Sequence, residues 1–272
     1  MADEFRVGPV RFYLHTLTLL IRQRMAFRVN YYLMTLSVLI KEAAAIALIG
    51  VILQKFHAVA GWTIWEIGVL YSLMAFANRG FYTFCAGVLR IGHMVESGEL
   101  DQFLVTPRNP LFLVSARYAC AWRMLYNCAT LLILAFCSSK AGVEFSPGNI
   151  ALFAVFAVSA VAIHFAIYLV LATVALWTFR VSAMQELLYQ VIFEYLRYPI
   201  QIYGVVGAFL LTWLIPLAFI NYYPAATLLA KTNDVFIGPS LGYAAPLVAA
   251  LLLFAAYRFW NFGLAYYKSS GT

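Results

Sequence analysis

The chain has 272 residues, of which 64% are hydrophobic and only 11% charged, and it carries a formal net charge of +7 at pH 7. Soluble domains are near half apolar and about a quarter charged, so this composition excludes a chain whose main solvent is water. Several apolar stretches exceed the roughly 20 residues that take a helix across a bilayer, and the short alternating strands of a membrane barrel are absent; a polytopic α-helical membrane protein remains.

The excess of positive charge sits at the edges of apolar spans, where it acts as an orientation signal, so no nucleic-acid partner is expected. Cys85, Cys120, Cys128 and Cys137 lie in apolar segments without metal-ligand spacing and read as small buried hydrophobes; no metal site is expected.

The N-terminal "MADEFRVGPVRFYLHTLTLLIRQR" has acids near its start, and its apolar part is too short to span and is interrupted at Arg22 and Arg24. It reads as an interfacial helix within 1–28 rather than a cleavable signal. A first span is expected from about Val29 to Leu53 and a second from Ile64 to Leu89. After a polar loop at 95–110, further spans are expected over Ser115 to Cys137, Ile150 to Trp177, Ala183 to Tyr203 and Tyr243 to Tyr266. Between the last two lies "GVVGAFLLTWLIPLAFINYYPAATLL", apolar but marked by Pro216 and Pro224. Proline disfavours helix at itself and at the residue before it, so 204–226 is expected to form a broken hairpin entering from the outer face and returning to it. A seventh full crossing is the alternative. With six spans and the N-terminus inside, the inner side collects most of the arginines and the outer side only Lys55, Lys140 and Lys231. No internal repeat and no Pro-, Gly- or Ser-rich linker divides the chain, so 1–272 is expected to be one membrane domain.

The loop "VESGELDQFLVTPRNP" breaks the apolar pattern. Ser97 is the expected N-cap of a short helix, with Glu99 and Asp101 in its first turn, where the helix dipole favours acids. Leu100, Phe103 and Leu104 follow i, i+3, i+4 spacing and form a narrow apolar face, and Pro107 and Pro110 stop the helix. Such a helix either lies against lipid or fits a groove on a cytosolic partner, with Leu100 and Phe103 as anchors.

The surface helix before the first span, "VESGELDQFLVTPRNPLFLV" after the second and the proline-marked "YPIQIYG…WLIPLAFINYYPAATLL" together resemble the short membrane subunits of ABC-2-type transporters, which work beside a separate ATPase chain. The resemblance runs over nearly the whole chain and is most specific at Gly98-Glu99-Leu100-Asp101 with Pro107, and in the spacing of Pro199, Pro216 and Pro224. It implies that Glu96, Gly98, Glu99, Leu100, Asp101, Phe103 and Leu104 belong to a coupling helix that passes ATPase movement to the membrane part. This chain carries no G-x-x-x-x-G-K-[ST] phosphate loop, so ATP and Mg are expected on the partner ATPase and no cofactor on this chain.

Charges inside spans cost about 2.5–3.5 kcal/mol each at mid-bilayer even on the insertion scale, so each is a candidate site. Lys41 and Glu42 fall in the first span and Arg79 in the second; Glu186, Gln190, Glu194 and Arg197 give the fifth one polar stripe. Either these groups border a substrate path, or they pair within the bundle; the formal charges of Lys41, Arg79 and Arg197 against Glu42, Glu186 and Glu194 cancel, which favours pairing, with Arg79 and Glu194 at similar depth. His164 is expected to be a hydrogen-bonded core residue, Phe76, Phe81, Tyr82 and Phe84 helix packing or an amphiphile's route, and Trp213, Tyr222 and Tyr223 an outer aromatic belt. No H-E-x-x-H, G-x-S-x-G or paired-acid metal motif is present, and Asp234 is too isolated to suggest a catalytic carboxylate.

The expected fold is therefore an all-α membrane protein: six transmembrane helices with an N-terminal interfacial helix, a cytoplasmic coupling helix and an outer re-entrant helical hairpin. The expected function is that of a non-enzymatic permease subunit of an ABC exporter moving an amphipathic substrate across a bacterial cytoplasmic membrane, termini inside. Its partners would be two copies of an ATPase, a second permease subunit (a related heterodimer partner or a second copy) and the lipid bilayer. The alternatives are an ATP-independent channel or secondary carrier, and a membrane scaffold subunit.

Overall fold

The computed structural model describes residues 8–26, 29–37, 40, 43–44, 47, 58–120, 123–178, 181–231 and 236–268. Most of the expected first span, with Lys41 and Glu42, lies outside these, as does Asp234. Among the described residues there is no strand; one isolated bridge joins Val59 and Trp62.

Helix α1 spans Pro9–Met25. Leu17 is buried, with Tyr13, Leu20 and Ile21 packed around it against Ala119, while Leu19 on the opposite side is exposed. Spacing of three to four residues gives one face for the protein and one for its surroundings. A helical stretch over 29–37 follows.

Helix α2, Ile64–Phe84, starts at a capping box in which the Thr63 N–H donates to Glu66 Oε2 at 2.7 Å and the Glu66 N–H to Thr63 Oγ1 at 3.5 Å. It does not run on to Leu89: a 3₁₀ turn over Ala86–Arg90 redirects the chain into α3, Ile91–Glu96. Then come α4, Leu100–Leu104, and α5, Pro110–Arg117. The expected third span also starts later than Ser115, because α5 ends at Arg117 and α6 covers Met124–Lys140.

Helix α7, Pro147–Thr178, is 32 residues long and packs along α11, Ala245–Ala265. Glycines permit close approach: a Cβ at Gly263 would press on Thr173 and Leu176, and one at Gly80 of α2 on Val161 of α7. His164 is fully buried, its Nδ1 3.0 Å from the Ala160 carbonyl and its ring stacked on Phe81.

The fifth expected span is shorter than Ala183 to Tyr203. Helix α8, Ser182–Gln190, loosens into a π turn at Val191–Tyr195, and Pro199 starts a 3₁₀ turn, Ile200–Tyr203. Helix α9, Gly204–Phe209, opens on Gly204 at φ +67 and also ends in a π turn, Leu210–Leu214. Ile215 before Pro216 is extended, as that position demands, and after a short 3₁₀ turn α10 covers Tyr222–Leu228. The two arms, Ile200–Leu214 and Leu217–Leu228, meet at 78°. The broken shape was legible from the prolines.

By length and composition, two helices among the described residues can cross a membrane, Pro147–Thr178 and Ser240–Ala265, or three if the bent pair counts as one span. The expected first span falls mostly outside the described residues; of the others, α2 carries Glu66, Asn78 and Arg79, α6 has 17 residues, and the fifth is interrupted.

Buried polar groups tie the bent pair to the bundle. The fully buried Asn221 amide donates to the Leu196 carbonyl at 2.6 Å and to the Leu70 carbonyl at 3.2 Å, so one side chain joins the end of the α8 π turn to α2. Lys231 Nζ ion-pairs with Glu66 at 3.1 Å, donates to the Gly61 carbonyl at 2.7 Å and lies over the Trp62 ring. Tyr222 and Tyr223, expected in an aromatic belt, are instead fully buried, Tyr222 against Trp62 and Tyr223 bonded to Thr212, because the bent pair folds them inward; Trp213 is exposed.

Replacing Asn221 by Ala leaves the Leu196 carbonyl without its short donor in an apolar site, and should cost about 1–3 kcal/mol of stability; thermal unfolding of the solubilised protein, compared with the exposed Thr18→Ala as control, measures it.

Candidate functional site

The polar loop forms a compact knuckle of α3, α4 and the start of α5. Gly98 sits at φ +70 between α3 and α4, a left-handed turn that glycine adopts without strain. Ser97 is not the N-cap of the second helix: it terminates α3, its Oγ 3.5 Å from the Met94 carbonyl, and Glu99 precedes α4 without a side-chain cap. Pro110 does not stop a helix but starts one. The Asn109 side chain accepts from the Leu111 and Phe112 N–H groups at 3.0 and 3.3 Å, with Pro110 in the first turn, where its missing N–H costs nothing.

The main correction concerns the two expected anchors. Leu100 is 0% and Phe103 6% exposed, both within the protein's own core alongside Ile91, Met94, Val95 and Val114. They hold the knuckle to the bundle and are not free to enter a partner. The chain covers them because α5 folds back under the loop. Gly87 lets the 3₁₀ turn approach so closely that a Cβ there would collide with the Val114 carbonyl.

Glu99 also faces inward, accepting a 2.8 Å hydrogen bond from Tyr118 and lying 4.0 Å from Arg117. Arg90 stacks over the Tyr118 ring at 4.7 Å and Arg117 lies 5.5 Å from Phe103. Burial, and then the bond to Glu99, push the Tyr118 phenol above its ordinary value. Asp101 faces Tyr267 at the end of α11, and Asn109 Nδ2 donates to the Tyr257 hydroxyl at 3.0 Å. Arg108 stacks on Phe12 of α1. The knuckle is thus braced to α1, α5, α7 and α11.

Its outer surface includes His93, Glu96, Ser97, Gln102, Val105, Pro107 and Asn109, with Gly98 and Leu104 among its half-buried residues. Val105, 85% exposed, is the most prominent apolar group. The sequence missed it because Val105 falls outside the i, i+3, i+4 set, and missed Tyr118 because the brace spans nineteen positions.

Among the described residues, the charges expected inside spans lie on separate elements. Arg79 is buried on α2, with Nη1 3.4 Å from the Tyr126 carbonyl. Glu186, Gln190 and Glu194 form an exposed stripe along α8 and its π turn. Gln190 Nε2 is 3.5 Å from Glu186, and Glu194 pairs at 3.1 Å with Arg197, whose Nε donates to the Phe193 carbonyl. The ion pair at Glu194 is therefore local to its own chain segment, not the expected interhelical contact with Arg79. Phe76 packs on Phe153, Phe81 on Tyr168 and Tyr82 against Tyr189, which is helix packing; Phe84 is partly exposed. Arg258, exposed on α11, was passed over in the sequence.

Among the described residues no group of three or more His, Cys, Asp or Glu could hold a metal ion. A family model described as an ABC-2 family transporter protein matches residues 39–271. No curated protein and no solved structure matches the chain.

The inward placement makes a direct prediction. Leu100→Ala should destabilise the protein by about 2–5 kcal/mol, whereas Val105→Ala should stay within about 0.5 kcal/mol. Thermal unfolding of the two variants side by side tests it, and equal shifts would show that Leu100 faces outward.

Proposed function

Because the chain belongs to the ABC-2 transporter family and is a membrane permease, we propose that it is the membrane subunit of an ATP-driven exporter that moves an amphipathic molecule out of the cytoplasm or inner leaflet. Two copies of an ATPase carry the ATP and Mg, and a second permease subunit, a related chain or another copy, completes the path. The protein sits in a bacterial cytoplasmic membrane with both termini inside, six spans, and 204–226 re-entrant from the outer face.

The observation that carries this reading is the construction of the knuckle. Its apolar side is embedded in the bundle through Leu100 and Phe103, while Val105, Gln102 and Glu96 project from it. A partner that pushes on those projecting groups moves the ends of α2, α7 and α11 with them, because no soft linker intervenes. The coupling role implied for Glu96, Gly98, Glu99, Leu100, Asp101, Phe103 and Leu104 is thereby divided. Glu96 meets the ATPase together with Val105 and Gln102, while Leu100, Phe103, Glu99 and Asp101 transmit.

The stripe on α8 supports the second half of the reading. Charged groups facing lipid are costly, and Glu186 and Glu194 are exposed on this chain. The second permease subunit covers them, and the substrate passes between the two.

Purification in mild detergent followed by identification of the bound proteins should recover an ATPase. Val105→Asp should weaken its retention on the order of tenfold or more, as loss of an interface anchor does, and abolish substrate-stimulated hydrolysis while the thermal midpoint stays unchanged. Undiminished retention and stimulation would overturn the assignment of Val105. Flux driven by an ion gradient with no ATPase present would overturn the transporter class.

A further inference from the structure

At the end of the bundle away from the knuckle, the last turns of α6, the loop after it and the first turns of α7 line a cavity of about 270 Å³, with Leu228 of α10 also in its wall. Helix α7 meets the knuckle at its other end, where a Cβ on Gly92 would touch Ala175 and Val181. Ile150 in the cavity wall lies about 37 Å of helix from Ala175. The cavity is therefore separate from the knuckle, and no residue of the α8 stripe lines it. Its volume is close to the lower end of the roughly 300–1,000 Å³ of small-molecule sites.

The loop between α6 and α7 is held in shape by its own hydrogen bonds. Gly142 takes a left-handed turn at φ +80, the Val143 N–H donates to the Ser138 carbonyl at 2.9 Å, and Asn149 Nδ2 donates to the Glu144 carbonyl at 2.7 Å. With its backbone fixed in this way, Glu144 brings the single charged side chain to the wall. That carboxylate is exposed and has no ion pair or hydrogen bond among the described residues, Lys140 four positions earlier included. The second polar group is Ser138, only 7% exposed. It lines the cavity, and its hydroxyl has no hydrogen-bond partner among the described residues. A buried hydroxyl in that condition is rare and costly unless something outside the chain meets it. The rest of the wall is mostly apolar, with Leu131, Leu134 and Phe153 inside and the exposed Phe145 next to Glu144.

We propose that this cavity binds a cationic amphiphile, a protonated amine carrying an apolar tail. The ammonium group pairs with the Glu144 carboxylate, and the Phe145 ring adds the attraction of an aromatic face for a cation. The Ser138 hydroxyl takes up a polar atom of the head group, and the tail lies against Leu131, Leu134 and Phe153. An anionic amphiphile would bring its charge up to Glu144 with no cation in the wall to offset it. A neutral one would gain nothing from the carboxylate. The proposal goes beyond the exporter reading and does not depend on it, because binding here needs no ATPase, no second permease subunit and no stated orientation in the membrane.

The full chain, with whatever partners co-purify, is melted in mild detergent against octylammonium, octanol and octanoate at neutral pH. Octylammonium should raise the melting temperature saturably, as a ligand of the folded state does, and the other two should not. Glu144→Gln should weaken the apparent affinity for octylammonium about fivefold or more, the loss expected for a partly exposed ion pair. If Glu144→Gln does not fold, Leu131→Trp, which fills the apolar part of the cavity from a partly exposed position, should reduce the same shift. Absence of a shift with octylammonium, an equal shift with octanol or octanoate, or an unchanged octylammonium shift in either variant overturns the proposal.

Discussion

A short helix under a membrane protein must bury its apolar side somewhere, and here that side is turned upward into the protein itself. Leu100 and Phe103 are enclosed with Ile91, Val95 and Val114, and fully burying side chains of this kind is worth about 1.5–3 kcal/mol each. The left-handed turn at Gly98 and the bare face of Gly87 make the enclosure sterically possible. The Tyr118–Glu99 bond then fixes the angle at which the loop leaves the bundle. The outward groups are positioned by this inward packing, so the exposed face of the loop is only as rigid as the core behind it.

A second constraint comes from the low-dielectric setting. Every interruption of a helix in hydrocarbon exposes backbone groups that water cannot reach, and irregular backbone survives there only when protein supplies the partners. The chain is interrupted at Pro199, at Gly204 and at Ile215-Pro216, and Asn221 serves the carbonyl left by the first of these while holding α2. The Lys231–Glu66 pair closes the same end of the molecule and also satisfies the Gly61 carbonyl. The bent segment is therefore an integral wall of the bundle, and Tyr222 and Tyr223 are part of its packing.

How much of this was legible in the sequence depends on the range of the interaction. Local signals read correctly: a helix near the start of the chain, the apolar runs that became α7 and α11, and the proline break near residue 216. Span ends were read less well, because hydropathy does not register the redirection after Phe84 or the break between Arg117 and Met124. The short helix of the polar loop was found, but its apolar face turns inward. Periodicity finds the greasy face of a short helix but not what that face meets, and α4 packs on α5, which starts only beyond the next proline. The polar stripe was likewise visible as a spacing, whereas its exposure depended on how α8 packs on the bundle.

Helix α7 is 32 residues long, about 48 Å of rod in a hydrocarbon layer of about 30 Å. Even leaning by about 40°, the steep end of the observed range, it would extend about 37 Å along the normal. Leaning alone cannot hide it, so its tips reach the headgroups or the sheet of lipid thickens around it. Its partner α11 is shorter and cannot follow it over that distance. The imidazole of His164, near the midpoint of the rod, then lies at the greatest distance from water on either side, which is why stacking against Phe81 and a carbonyl one turn back are what hold its ring.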